Sequence, residues 1–160
     1  MELTPSPLPA LTPGAVLVAG GEEAERSITK SIQLRTSLKP YVMELAANAT
    51  AHGTPLMVPL WWYFPDDPEL QVRRTHRMSM GVRLKMVVAA QHNDDPTELM
   101  LGPKYLAAPV LRLAQRNRTL YLPKTDGGWT HYYSRVHFSG GANVTVAAPF
   151  DELPLFVREI

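Results

Sequence analysis

No cysteine occurs in the 160 residues of this chain. That absence excludes disulfides, thiolate metal sites and a cysteine nucleophile, and leaves the redox compartment open. Charge is scarce as well, with 19% of residues charged and a formal net charge of +1. So even a balance exerts no global pull toward nucleic acid or an anionic membrane, and any basic argument has to be local. Long apolar runs are also missing, none approaching the roughly 20 residues that a membrane span requires. The N-terminus carries Glu2 and no early Lys or Arg, and Pro5, Pro7, Pro9 and Pro13 interrupt its apolar residues. No signal peptide or transmembrane segment is therefore read in the chain as written.

What is present fits one domain of moderate size, 45% hydrophobic and rich in proline. Residues 1–21 alternate Pro with Ser, Thr and Leu and end in Gly20-Gly21, which reads as an extended, disordered leader. From Glu22 the pattern changes. Ile28, Ile32, Leu38, Val42, Leu45 and Ala49 recur at helical spacing, with Arg35 the one polar member of the stripe. Glu22, Glu23 and Glu25 suit the positive end of a helix dipole, while Gly53 and Pro55 mark its stop. Pro40 lies inside the pattern, so the expectation is two helical pieces meeting at a kink near Ser37 to Pro40. Tyr41 and Met43 on this face read as core.

Beyond His52 the chain is strand-like. Leu56 to Phe64, Tyr105 to Val110, Thr119 to Leu122, Trp129 to Tyr133, Asn143 to Ala147 and Leu155 to Arg158 are short apolar or alternating runs between Gly, Pro and Asp turns. Such spacing indicates an antiparallel sandwich or barrel. Pro59 places the first run at a sheet edge or an irregularity. Val72 to Gln91 differs in kind, carrying Arg73, Arg74, Arg77, Arg83 and Lys85 with no acidic residue. It lacks the aromatic stacking residues of nucleic-acid modules, so a solvated loop or inserted segment is the reading, with no nucleic-acid partner.

Candidate chemistry is thin. Asp66 and Asp67 are adjacent, and neighbours on a strand or a helix do not face one another, so they read as a turn and helix cap. His131 and His137 are about 20 Å apart along an extended strand and cannot share an ion unless the chain bends. No HExxH spacing, P-loop, GxGxxG or GxSxG elbow occurs, so no metal, cofactor or catalytic residue is assigned. Asn48, Asn117 and Asn143 begin formal glycosylation acceptors that matter only in a secretory compartment. Trp61, Trp62 and Trp129 are candidate sugar-stacking platforms, with core packing the competing role.

The order LKPYVMELAANATAHGTP, FPDDPE, MLGPKYLAAPVL, YLPKTDGGWTHYY, Gly140-Gly141 and APFDELPLFVRE resembles the C-terminal portion of glycoside hydrolase family 31, the α-glucosidases, α-xylosidases and relatives. The resemblance spans about Glu22 to Glu159. It implies an α+β fragment, in which residues 22–53 are the terminal helices of a TIM barrel and residues 54–160 form an incomplete antiparallel β-sandwich. A basic insertion at about 72–96 interrupts that sandwich. It also implies descent from a retaining enzyme that hydrolyses O-glycosidic bonds in α-glucosides or α-xylosides, with two catalytic aspartates on barrel strands upstream of Met1. Neither is carried over to this chain, which is expected to be inactive alone. The implied partners are an α-linked oligosaccharide in the parent enzyme and a missing (β/α)8 barrel, or another chain, covering Ile28, Ile32, Leu38, Val42 and Leu45. The alternative is a non-catalytic β-sandwich module that binds carbohydrate or protein. Two departures stand out: Val58 occupies a place where the family usually has arginine, and the basic stretch replaces a short acidic connection. The second raises the hypothesis of a translated intron, whose GT donor would begin a valine codon; sequencing the spliced transcript tests it.

Overall fold

Thirty-two residues from Gly21 to His52 form one uninterrupted helix, α1, in the computed structural model, which describes residues 21–71, 97–112 and 114–159. The leader before residue 21 and the basic stretch at 72–96 lie outside the described residues. The expected break at Pro40 does not occur. Pro40 removes the N–H that would reach the Thr36 carbonyl, and the helix continues through it; in the turn before it Thr36 Oγ1 donates to the Ile32 carbonyl and Ser37 Oγ to the Leu34 carbonyl, both at 2.8 Å. Gly53 closes the helix with φ 69°, its N–H on the Ala49 carbonyl at 2.8 Å.

Eight short strands follow among the described residues. These are β1 (Met57–Pro59), β2 (Leu99–Leu101), β3 (Tyr105–Ala107), β4 (Asn117–Leu122), β5 (Trp129–His131), β6 (His137–Phe138), β7 (Ala142–Ala147) and β8 (Leu155–Arg158). Six make an antiparallel sheet in the order β1-β2-β3-β8-β5-β6, and β4 pairs with β7 in a second, two-stranded sheet. The architecture of the described residues is thus one long helix, antiparallel sheets and a core between the sheets, an α+β arrangement as the sequence implied.

The apolar run at Leu56 to Phe64 is not one strand. Only Met57–Pro59 pairs, and Leu60–Trp62 then coils into a 3₁₀ turn, because Pro59 has no N–H to continue a ladder. Strands β2 and β6 were not foreseen, being only three and two residues long. Too few residues alternate there to show a period.

Registers explain which side chains meet. One row crosses the large sheet as Val58, Met100, Leu106, Phe156 and His131, each directly opposite the next. All five are buried, and they pack with Leu120 and Leu122 of β4. Trp129, on the same face of β5 as His131, has no exposed surface and donates its indole N–H to the Pro123 carbonyl at 2.8 Å. The alternate row, Met57, Leu101, Tyr105, Val157 and Thr130, points to the opposite face, where α1 lies.

Candidate functional site

The feature with most functional content is the seam between α1 and the outer face of the large sheet. Tyr41 is its centre. Its hydroxyl donates to the Leu101 carbonyl at 3.0 Å and accepts the Lys104 N–H at 3.2 Å, and its ring meets Tyr105 edge-on with centroids 5.1 Å apart. Partial burial raises the Tyr41 pKa above the ordinary phenol value, so the hydroxyl keeps its proton for Leu101. Gly102 lies beneath it with φ +58°, and a Cβ there would press on the Tyr41 hydroxyl and stand 2.6 Å from Leu45 Cδ2. Close approach of helix to backbone at this point requires glycine.

Polar contacts fasten the rest of the seam. Lys30 reaches Asp151 at 2.6 Å and Glu152 at 3.1 Å, on the connection before β8. Hydrogen bonding to Asp151, and then to Glu152, raises the lysine pKa, and Lys30 in turn holds Asp151 below the usual carboxylate value. Ser27 Oγ donates to the Phe150 carbonyl at 3.4 Å, and Ser37 Oγ lies 3.4 Å from the Tyr132 hydroxyl. These contacts put Ser27, Lys30, Ser37, Tyr41 and Leu45 toward this chain's own sheet. The expected single stripe is therefore split: Leu45 packs inward over Gly102, whereas Ile28 and Ile32 are 37% and 59% exposed. Met43 is 61% exposed, and no residue of α1 is fully buried. Among the described residues, Ile28, Ile32 and Met43 stay uncovered on a face of the helix that also carries Arg35 and Lys39.

The predicted tryptophans separate. Trp129 belongs to the core and offers no ring face to solvent, with the Phe64 ring tilted against it at 6.1 Å between centroids. Trp62 is 49% exposed and tilted against half-buried Trp61, ring centroids 6.2 Å apart. Asp67 caps a single helical turn at 68–71 through the Glu69 and Leu70 N–H groups at 3.0 and 3.4 Å, and Tyr121 donates its hydroxyl to the same carboxylate. Val58, at the position where arginine was expected, is a buried member of the core row.

His131 and His137 are not on one strand. The chain reverses between them, pairing Thr130 with His137 and leaving His131 buried and His137 exposed. No group of three or more potential metal ligands forms among the described residues. No described helix is long and apolar enough to cross a membrane. Every carboxylate there that is at least half-buried has a structural partner: Asp67 at Tyr121, Glu98 on the Tyr121 N–H, and Asp151 and Glu152 on Lys30.

Sequence reasoning missed the Tyr41 clip, the Lys30 clamp and the bond of His131 to Ser134. The one local signal was Gly102 before Pro103, a turn signature that hides a close approach.

Comparison with known proteins accounts for this arrangement. Residues 53–159 match the family model described as glycosyl hydrolase family 31 C-terminal domain. Alpha-glucosidase 2 of Bacillus thermoamyloliquefaciens is 29% identical over 141 residues, covering 88% of this chain but 15% of the relative. A family 31 alpha-xylosidase from a soil metagenome, solved with xylose, superposes with TM-score 0.67 at 32% identity over 87% of this chain and 17% of that one. The cycloalternan-degrading enzyme from Trueperella pyogenes, solved with cycloalternan, gives TM-score 0.72 at 27% identity, covering 99% of this chain and 19% of that one. The chain spans less than a fifth of each. With a single family model covering residues 53–159 and the seam helix inside the region shared with solved relatives, the chain belongs to glycosyl hydrolase family 31, within its C-terminal portion.

Proposed function

We propose that this chain is the non-catalytic C-terminal part of a retaining α-glycosidase acting on α-glucosides or α-xylosides, with residues 22–53 as the end of its (β/α)8 barrel. The observation that carries it is α1 itself, clipped to its own sheet by Tyr41 and Lys30 while Ile28, Ile32 and Met43 face away. Ile and Met side chains are each worth about 1.5–3 kcal/mol when buried, so a packed partner would be substantially stabilised by them. Retaining chemistry needs two carboxyl groups about 5–5.5 Å apart across the scissile bond. Among the described residues the inner carboxylates are committed to a helix cap, a strand N–H and a lysine, which supports placing the catalytic pair on the barrel.

The test is a graft. This chain replaces the corresponding C-terminal segment of the soil-metagenome alpha-xylosidase, and turnover of an aryl α-xyloside is measured for the graft and for the chain alone. Turnover by the graft only, lost with Ile32→Asp, supports the reading. Turnover by the isolated chain overturns it.

A second reading, a sugar-binding sandwich module, draws on half-exposed Trp62 beside Trp61. Titrating the isolated chain with isomaltose while following tryptophan fluorescence separates the two. Saturable quenching without turnover, abolished by Trp62→Ala, favours the module.

A further inference from the structure

The core row of the large sheet ends in a titratable ring. Val58, Met100, Leu106 and Phe156 are apolar, and His131 closes the row with 6% exposure. Its Nδ1 lies 2.8 Å from Ser134 Oγ and accepts the Ser134 backbone N–H at 3.2 Å. A nitrogen that accepts an N–H carries no proton, so the imidazole hydrogen sits on Nε2. That atom is buried and has no hydrogen-bond partner among the described residues. The ring is edge-on to Phe156 at 5.0 Å between centroids and 6.1 Å from Tyr133.

A histidine 2.8 Å from an exposed serine hydroxyl also suggests an activated nucleophile. The geometry opposes that use. Ser134 already fills the one basic nitrogen with its own N–H, and no carboxylate meets Nε2 to stabilise an imidazolium. What the contacts do is close a turn. His131 donates its N–H to the Val136 carbonyl at 2.8 Å, Arg135 donates to the His131 carbonyl at 2.9 Å, and Arg135 holds a left-handed φ of 59°. The same turn carries Tyr132 to Ser37 of α1.

The charged and titratable groups around the ring are few. From the connection before β8 comes Glu152, whose charge favours an imidazolium but which Lys30 of α1 already holds, together with Asp151. The turn adds Tyr132, Tyr133 and Arg135, the last over the Tyr132 ring at 5.5 Å. Strand β8 contributes Phe156 opposite the ring and, two residues on along the same face, Arg158, whose guanidinium lies over the Phe64 ring at 5.0 Å, and β6 contributes His137, which is exposed. Burial outweighs Glu152 and lowers the His131 pKa below the ordinary histidine value.

We propose that His131 is an acid-sensitive latch: neutral, its Nδ1 accepts the Ser134 N–H, and protonated, it releases that N–H, keeps Ser134 Oγ only as an acceptor, and loosens the 131–136 turn beside Tyr132, which its backbone bonds to Val136 and Leu155 still anchor. The sign follows from linkage. A histidine whose folded pKa is depressed contributes in full above its unfolded value of about 6.5, and the contribution is lost as pH falls through the lower folded value. Mild acid therefore loosens the turn beside the seam, through a ring that senses the Lys30 clamp by the charge of Glu152. This inference does not rest on the proposed barrel.

Nitrogen-15 NMR of the full chain tests it. The expected spectrum shows the Nε2–H tautomer at pH about 7.5 and titration of His131 below about 6.5. Ser134 amide protection, corrected for intrinsic exchange, should fall on acidification by about tenfold for each pH unit between the folded and unfolded values. His131→Asn supplies a non-titrating acceptor and should abolish that acid dependence, while His137→Asn should leave it unchanged. The latch is refuted by an Nδ1–H tautomer, by titration at or above the free-histidine value, or by the same acid dependence in His131→Asn. Should His131→Asn not fold, the wild-type tautomer and titration decide alone.

Discussion

Adding one methyl group at Gly102 should uncouple the helix from the sheet. Gly102→Ala meets two costs that the structure keeps separate. The backbone has φ +58°, where an L-residue with a Cβ loses about 1–2 kcal/mol. The new Cβ would also press on the Tyr41 hydroxyl and stand 2.6 and 2.9 Å from the two Leu45 δ-carbons, overpacking of the kind that costs about 1–3 kcal/mol. The sum is about 2–5 kcal/mol, comparable with the net stability of a marginal domain. Urea unfolding, followed through Trp129, should show the midpoint reduced by about 1–3 M for a slope typical of a small protein. Tyr41→Phe supplies the internal check. Alone it gives up the bonds to Leu101 and Lys104 and costs about 1 kcal/mol. Combined with Gly102→Ala it removes the atom on which the new methyl presses, so the double variant should be less unstable than the sum by about 1 kcal/mol or more. A Gly102→Ala midpoint within about 0.5 M of wild type, or strict additivity in the cycle, refutes the close-approach argument.

Three further outcomes are expected. Ile32→Asp, on the uncovered face, should leave the urea midpoint of the isolated chain within about 0.5 kcal/mol of wild type while lowering the melting temperature of the xylosidase graft; destabilisation of both would mean that the face is already covered. Trp129→Ala should cost about 3–5 kcal/mol, since it empties a fully buried site and abandons the Pro123 carbonyl; a smaller loss in denaturant titration would argue against a core role. Lys30→Met should make stability less sensitive to salt and flatten its pH dependence at both ends. The Asp151 half of the clamp is present above the unfolded carboxylate value and lost as pH falls through the lowered folded one. The Lys30 half is present below the unfolded lysine value and lost as pH rises through the raised folded one. Equal salt and pH profiles for Lys30→Met and wild type would show that the clamp contributes nothing in solution.

Local chemistry was legible wherever it acts over a few residues. Gly53 stops α1 as expected because the left-handed position after a helix tolerates glycine, and Asp67 caps the 68–71 turn because its carboxylate reaches N–H groups two and three residues on. Pro40 misled: the helix runs through it with the loss of the one N–H that would have reached the Thr36 carbonyl. The helical stripe was legible as a period but not as a destination. Spacing alone cannot say that Leu45 packs on Gly102, 57 positions further on, while Ile32 faces away. Among the tryptophans, residue type was silent on which was core: Trp129 is enclosed because β5 lies between β8 and β6, and Trp62 is half-exposed because the 3₁₀ turn after Pro59 leaves the sheet.

By itself, then, the sequence determined the family, the helical character of residues 22–53, the antiparallel character of the rest and the absence of thiol chemistry. Each of these follows from composition, local periodicity or motif order. Only the tertiary structure decided that Tyr41, Lys30 and Leu45 turn inward, that Ile28, Ile32 and Met43 do not, and that His131 ends an apolar row with its basic nitrogen spent on Ser134. The physical reason is register. The strands bring Val58, Met100, Leu106, Phe156 and His131 into one line from positions scattered along the chain, and one residue of slip in any strand would send its members to the helix side instead.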